Sequence, residues 1–257
     1  LHITLLRGFL KVFLRMLILA ERPWRRVEAV SRLEEWIRGL FLEAGGRSLK
    51  LSQGEGGWIT VEADDERLLS SILRLNMRFD PISSMSQPHT AKVVKIGQGR
   101  VSYEYPLPDG STMRKTFHSR DWAVQLGYEG DDFEGFLEAL GVVEGMSIST
   151  SLNMPSSIQR RVFLDEVLRG LDRIVLIDLT PQEVEKILES GFKGFTAFYE
   201  TITPLTHIVY LKLGASPDKA SKRLEALIHS IAPGASYRPL SWRRLSMIDW
   251  SEVRFEI

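Results

Sequence analysis

The sequence contains no cysteine, and this absence removes several classes of site at once. Disulfide bonds, thiolate zinc sites, iron–sulfur clusters and cysteine nucleophiles all require that residue. Histidine is also scarce, and no two histidines stand three or four positions apart, which is the spacing of a helical metal pair. The histidines are His2, His89, His118, His207 and His229. The sequence therefore offers no metal site.

Neither sign of charge is in excess, because 33 Lys and Arg residues balance 33 Asp and Glu residues. A protein that coats nucleic acid indiscriminately is usually strongly basic. Any nucleic-acid contact must therefore come from a local patch. The high content of charged side chains and the lack of thermolabile cysteine favour a thermophilic source.

The glycine motifs of nucleotide-binding and hydrolytic enzymes are also missing. The G-Q-G at 97–99 and the G-E-G-G at 54–57 are too short for a dinucleotide fingerprint, and neither precedes a predicted helix. There is no Walker sequence and no G-x-S-x-G elbow. The sequence thus offers no catalytic residue and no cofactor, and it favours a role other than catalysis.

No apolar run is long enough to span a membrane, and we expect no membrane partner. The opening segment is apolar but is interrupted by Arg7, Lys11 and Arg15. We interpret residues 1–15 as an extra arm, an artefact of the assigned gene start, ahead of a domain that begins at Met16. The alternative is a helix on a membrane surface, since the charged side chains of the arm are all basic.

Residues 16–80 predict a β-α-β-β-α unit. A helical pattern follows Pro23 and ends at the Gly45-Gly46 pair, and two strands around a glycine-rich turn give a hairpin signal. Asp64 or Asp65 can cap the next helix. This order is that of a ferredoxin-like fold short of its last strand. The Pro- and Ser-rich segment at residues 81–89 is the expected linker.

Residues 89–152 predict a small β-barrel. Three alternating runs, HTAKVVKI, RVSYEY and STMRKTFH, are separated by short turns and followed by an acidic helical insert and a last short strand. This order is typical of an OB-like barrel, although the sequence does not position a fifth strand.

Residues 157–257 predict a C-terminal ferredoxin-like domain, with the order β-α-β-β-α-β from residue 172. Thr180, Pro181 and Glu183 carry a capping-box signal for its first helix. The sequence as a whole therefore predicts an α+β protein in which two ferredoxin-like units flank an OB-like barrel.

The segments GLDRIVLIDLTPQEVEKILESGF and LTHIVYLKLGASPDKASKRLEALI resemble an archaeal family catalogued as domain of unknown function 2110. The resemblance covers residues 16–245 and is strongest in residues 171–228. Members of that family tend to carry a G-T-D-A-like turn where this chain has Gly214, Ala215, Ser216 and Pro217. The resemblance implies an archaeal, cytoplasmic protein and supplies no catalytic residues.

The candidate binding surface is a set of basic and aromatic residues in the predicted barrel. Basic side chains neutralise phosphates, and exposed rings stack on bases. Alternate residues of a strand share a face, so Tyr103 and Tyr105 lie opposite Arg100. The alternative is that the rings fill the barrel while the basic residues are solvated. The predicted nucleic-acid-binding residues are Lys92, Lys95, Arg100, Tyr103, Arg114, Lys115, His118 and Arg120.

A second basic patch, Arg22, Arg25 and Arg26, lies at the start of the first long helix. Positive charge there opposes the helix dipole, so local helix stability does not explain it. We interpret this patch as a phosphate contact, with a solvated face as the alternative.

The acidic stretch at residues 129–144 lacks the spacing of an EF-hand. We expect Asp131 to cap a helix, with Glu134 as its reciprocal partner. The remaining carboxylates then form a solvated face, or they orient a partner beside the basic barrel.

These observations favour a non-enzymatic RNA-binding or ribonucleoprotein-associated factor. RNA is preferred over DNA by analogy with strings of small modules in translation and RNA processing. The first alternative is a protein-interaction module of a larger transcription or translation assembly. The second is an enzyme with a ligand in a domain cleft. The RNA hypothesis depends on rings and cations emerging together on an open surface.

Overall fold

The computed structural model describes residues 16–18, 22–23, 25–54, 56–77, 89–107, 111–126, 128, 130–150 and 169–240. The predicted arm at residues 1–15 lies outside these ranges, and so does the predicted linker apart from His89. Within the described residues the protein is an α+β fold built on antiparallel sheets.

The N-terminal part contains a three-stranded antiparallel sheet in the order β1-β3-β2. Its elements are β1 Met16–Ile18, α1 Ala29–Glu43, β2 Leu49–Gln53, β3 Ile59–Ala63 and α2 Glu66–Asn76. Leu33, Ile37 and Phe41 recur at helical spacing and are buried, which explains why α1 packs into the core. Asp65 caps α2 by accepting a hydrogen bond of 2.9 Å from the Leu68 amide.

The central part contains a four-stranded antiparallel sheet in the order β6-β5-β4-β7. Its elements are β4 His89–Gly97, β5 Arg100–Pro106, β6 Thr112–His118, α3 Ser119–Gln125, α4 Phe133–Ala139 and β7 Ser147–Thr150. The tight β4–β5 turn uses Gln98 and Gly99 with positive φ, 56° and 69°, which matches the right-handed twist of the hairpin. Four strands form this sheet among the described residues, and they include no fifth strand of a barrel.

The cap of α4 differs from the prediction by one residue. Asp132, not Asp131, accepts the capping bond, which is 2.9 Å long and comes from the Gly135 amide. Glu134 does not act as the reciprocal partner, because its carboxylate accepts from the Gly99 amide of the β4–β5 turn. The prediction was wrong because two neighbouring aspartates carry the same local signal, whereas Glu134 finds its partner in another element.

The C-terminal part contains a four-stranded antiparallel sheet in the order β11-β8-β10-β9. Its elements are β8 Arg173–Ile177, α5 Pro181–Ile187, β9 Thr196–Thr203, β10 Thr206–Leu211, α6 Pro217–Ile231 and β11 Ser236–Leu240, with a π turn at Leu188–Phe192 after α5. The predicted capping box is confirmed. The Thr180 amide donates to Glu183 at 2.9 Å, and the Glu183 amide donates to the Thr180 hydroxyl at 3.4 Å.

The two central strands of the C-terminal sheet, β8 and β10, are buried on both faces. Ile174, Leu176, Val209 and Leu211 pack with α5 and α6 in one hydrophobic cluster. The alternate residues, Val175, Ile177, Ile208 and Tyr210, belong to the same cluster as the interior of the central sheet. Two-sided burial explains why β8 and β10 are continuous apolar runs instead of alternating ones. The inner side of the central sheet is therefore occupied, and its other side is the one available to a partner.

Candidate nucleic-acid interface

The exposed side of β4, β5 and β6 carries cations and hydroxyls in adjacent rows. Strand register pairs Arg100 with His118, Ser102 with Lys95, and Ser102 with Thr116. The Ser102 and Thr116 hydroxyls are 2.9 Å apart and hydrogen-bonded across the strands. We call this surface the outer face, and it consists of Lys95, Arg100, Ser102, Arg114, Thr116 and His118.

Four of the eight predicted nucleic-acid-binding residues lie on the outer face, and the other four lie elsewhere. Lys95, Arg100, Arg114 and His118 lie on it and are exposed. Lys115 faces the opposite side and is half-buried, and Arg120 is exposed on α3. Sequence reasoning did not name Ser102 or Thr116, although strand alternation already put them on the face of Arg100.

The aromatic rings point inward, contrary to the expectation for a base-stacking surface. Tyr103 is 0 % exposed, and its ring lies 5.7 Å from that of Phe117 and 5.6 Å from that of Trp122. Tyr105 is buried beside it, and burial raises the pKa of its phenol. The physical reason is volume, because a small sheet core needs large side chains to fill it. Tyr103 is thus a packing residue.

Lys92 is also buried, with 0 % exposure, and it offers no surface to a nucleic acid. It lies opposite Glu104 in the strand register. The Glu104 carboxylate in turn accepts a hydrogen bond of 2.6 Å from Arg114 Nε and a second hydrogen bond from Arg22. Arg114 keeps 63 % of its side chain exposed, so it stays on the outer face while paired.

Arg22 connects the N-terminal part to the central sheet. Besides its ion pair with Glu104, its guanidinium lies 5.2 Å from the Trp58 ring centre. The Trp58 indole donates to the Thr112 hydroxyl of β6 at 3.0 Å. Arg22 is thus held between the Glu104 carboxylate and the Trp58 ring, and we interpret it as a structural residue. This corrects its interpretation as part of a phosphate patch.

Arg26 is likewise a structural cation. It is 2 % exposed and forms a bidentate ion pair with Glu183, with Nη1–Oε2 at 3.1 Å and Nη2–Oε1 at 2.9 Å. Arg32 also contacts Glu183. Burial works against the charged form of each partner, yet the hydrogen bonds outweigh it: the pKa of Arg26 is raised and that of Glu183 is lowered. The prediction that Arg26 contacts phosphate is therefore corrected.

Asp178 fixes the segment that precedes α1. Its buried carboxylate accepts hydrogen bonds from the backbone amides of Arg25 and Arg26, and its carbonyl accepts from Arg26 Nη1 at 2.6 Å. Asp178 adopts φ of 63°, a left-handed conformation that Asp tolerates better than most residues. The carboxylate of a residue just after β8 thus holds the backbone that leads into α1. The Arg25 side chain remains exposed.

A cleft of about 700 Å³ opens at one end of the outer face. Arg120 lies over the Phe133 ring at 5.9 Å, and Ser119 is 1 % exposed. The Ser119 hydroxyl has no hydrogen-bond partner among the described residues, so His118 does not activate it as a nucleophile. The lining residues are Gly99, His118, Ser119, Arg120, Asp121, Asp131, Asp132, Phe133 and Glu134.

The described ranges contain neither a metal site nor a membrane-spanning helix. No group of three or more His, Asp or Glu residues there is arranged to hold a metal ion. No helix within those ranges is both long enough and apolar enough to cross a membrane.

Comparison with known proteins adds no assignment. The chain matches no family model, and no curated protein has a similar sequence. The resemblance to the archaeal family therefore remains a prediction.

Proposed function

We propose that the protein is a non-enzymatic RNA-binding or ribonucleoprotein-associated factor that contacts phosphates through the outer face. The observation that carries the proposal is the exposure of Lys95, Arg100 and His118 in neighbouring rows of one sheet, with Arg114 beside them. Lysine and arginine neutralise phosphates, and hydroxyls such as those of Ser102 and Thr116 bond phosphate and sugar oxygens.

The proposed mode is backbone contact without base stacking. Tyr103 and Tyr105 are inside the core, so the outer face holds RNA by charge and hydroxyl bonds. With few cations in the patch and a net charge of zero, we expect a modest affinity whose fall with added salt reflects the small number of phosphates that are neutralised.

The layout of the sheets supports this use of the outer face. We propose that the central part is OB-like, since it shares the meander of three strands, the helical insert and a last strand beside the first. OB folds bind oligonucleotides on the face of their second and third strands, which correspond to β5 and β6. We also propose ferredoxin-like folds for the flanking parts, supported by the strand orders β1-β3-β2 and β11-β8-β10-β9.

Fluorescence anisotropy with a labelled single-stranded RNA tests the proposal. The variant Lys95→Ala/Arg100→Ala/His118→Ala changes exposed side chains only, so it is expected to fold and to bind more weakly than the wild type. Lys219→Ala/Lys222→Ala is the matched control, because both lysines are exposed on α6, outside the central sheet. Absence of wild-type binding, or equal weakening in both variants, would overturn the proposal.

A second candidate is a protein-interaction module, as the sequence also suggested. The observation that favours it is the position of β6 at the edge of the described central sheet, where an extended segment of a partner can add as a further strand. Two results would favour this candidate over RNA. The protein would associate with a defined protein partner after nuclease digestion, and Lys95→Ala/Arg100→Ala/His118→Ala would bind that partner as tightly as the wild type.

A further inference from the structure

We propose that the hydroxyl pair of Ser102 and Thr116 recognises the 2′-hydroxyl of a ribose and thereby selects RNA over DNA. This inference rests on the proposed contact between the outer face and phosphates, and it concerns the sugar that joins two of those phosphates. The two side chains lie opposite each other on β5 and β6, and their oxygens are 2.9 Å apart. Thr116 is exposed and Ser102 is half-buried, so the pair lies at the surface of the sheet.

The hydroxyl pair is surrounded by cations. Strand register puts Lys95 beside Ser102, on the side away from β6. Along β5 and β6, Arg100 and His118 form the row on one side of the pair, and Arg114 lies in the row on the other side. These two rows are four residues of strand apart, roughly 13 Å. That spacing leaves room for one nucleotide over the hydroxyls, with its flanking phosphates within reach of the long cationic side chains.

The hydroxyls differ in chemistry from the Lys and Arg side chains around them. Those side chains only donate hydrogen bonds, which suits phosphate oxygens because these only accept. Within the pair one hydroxyl donates to the other, which leaves one O–H group and lone pairs on both oxygens for a ligand. A 2′-hydroxyl also donates and accepts, and the sugar of DNA has no such group. Of the other outer-face side chains only neutral His118 has an acceptor, and it lies in the next row, opposite Arg100.

A second hydroxyl pair in the N-terminal sheet offers a matched comparison. Ser52 and Thr60 lie opposite each other on β2 and β3, with their oxygens 2.7 Å apart. Thr60 is only 5 % exposed, and the next row on that face pairs Lys50 with Glu62, so the charges there balance. The two pairs have the same chemistry, but only the pair on the outer face is both open and surrounded by cations.

Fluorescence anisotropy of the full chain with labelled oligouridines tests the inference, using ribose, 2′-deoxyribose and 2′-O-methyl forms. The wild type is expected to bind the ribose form about two- to tenfold more tightly than the deoxyribose form, as for one net hydrogen bond. The 2′-O-methyl form has no proton to donate and should bind as weakly as the deoxyribose form. Ser102→Ala/Thr116→Val should bind all three forms with the wild-type affinity for the deoxyribose form, because its cations are unchanged.

Ser52→Ala/Thr60→Val is the control, and it should keep the wild-type ratio of ribose to deoxyribose affinity. Equal binding of these two forms by the wild type would overturn this inference and leave the proposed phosphate contact standing. Failure of the wild type to bind either form would overturn both. A wild-type ratio in Ser102→Ala/Thr116→Val would also overturn the inference, because the selectivity would then come from another part of the protein.

Discussion

Arg26 and Glu183 lie 157 residues apart in the sequence and form a buried ion pair with two hydrogen bonds, of 2.9 and 3.1 Å. The pair joins the segment before α1 to the first turn of α5. Glu183 also accepts from the Thr180 amide at 2.9 Å, so one carboxylate both caps α5 and connects the C-terminal part to the segment before α1.

Removing the cation from this pair should strongly destabilise the fold. We expect Arg26→Ala to lower the free energy of unfolding by about 3–5 kcal/mol, because Glu183 is left buried without its main partner. Arg38→Ala breaks an exposed pair with Glu34 and should cost only about 0.3–0.5 kcal/mol. Urea unfolding of both variants measures the difference, and similar costs would contradict the role assigned to Arg26.

The same pair predicts how stability depends on pH. The pKa of Glu183 is lowered in the folded protein: burial opposes this, but the bonds from Arg26 and Thr180 outweigh it. Its contribution is therefore complete above the unfolded pKa of glutamate, about 4.3, and is lost as the pH falls through the lower folded pKa. Unfolding free energies of the wild type and Glu183→Gln, measured from pH 7 downward, should converge in acid. A constant difference across that range would show that Glu183 is not charged in the fold.

Tyr103 should matter for stability and not for binding. We expect Tyr103→Leu to lower the free energy of unfolding by roughly 0.5–3 kcal/mol, because the smaller side chain leaves a cavity beside Phe117 and Trp122. The affinity of the folded protein for RNA should stay the same. Urea denaturation measures the free energy of unfolding, and fluorescence anisotropy measures the affinity for RNA on the same preparation. Weaker RNA binding at unchanged stability would instead place the Tyr103 ring on the binding surface.

The sequence predicts local structure well where the signal is local. The capping box of α5 needs only Thr180, Pro181 and Glu183, which are neighbours in the chain, and the structure contains it. The strand alternation also put Tyr103 and Tyr105 on one face of β5. It did not say which face is inside, because that depends on the C-terminal sheet closing the core from the other side.

The tasks of the arginines were the least predictable part. Arg22 and Arg26 resemble a phosphate patch in the sequence because their partners, Glu104 and Glu183, are far along the chain. Arg100 and Lys95, by contrast, are exposed in the sheet as strand alternation allows. A pattern of charge thus predicts where cations occur but not which of them the fold neutralises.

The most direct test of the outer face is the salt dependence of RNA affinity. The logarithm of the association constant should fall linearly with the logarithm of salt concentration, with a slope of roughly 0.7 for each phosphate that the protein neutralises on a single strand. Lys95→Ala/Arg100→Ala should reduce the slope by roughly 0.7 for each phosphate left without its cation, while Lys219→Ala/Lys222→Ala should not change it. If the wild type and Lys95→Ala/Arg100→Ala gave the same slope, the result would contradict the proposal that these cations hold RNA.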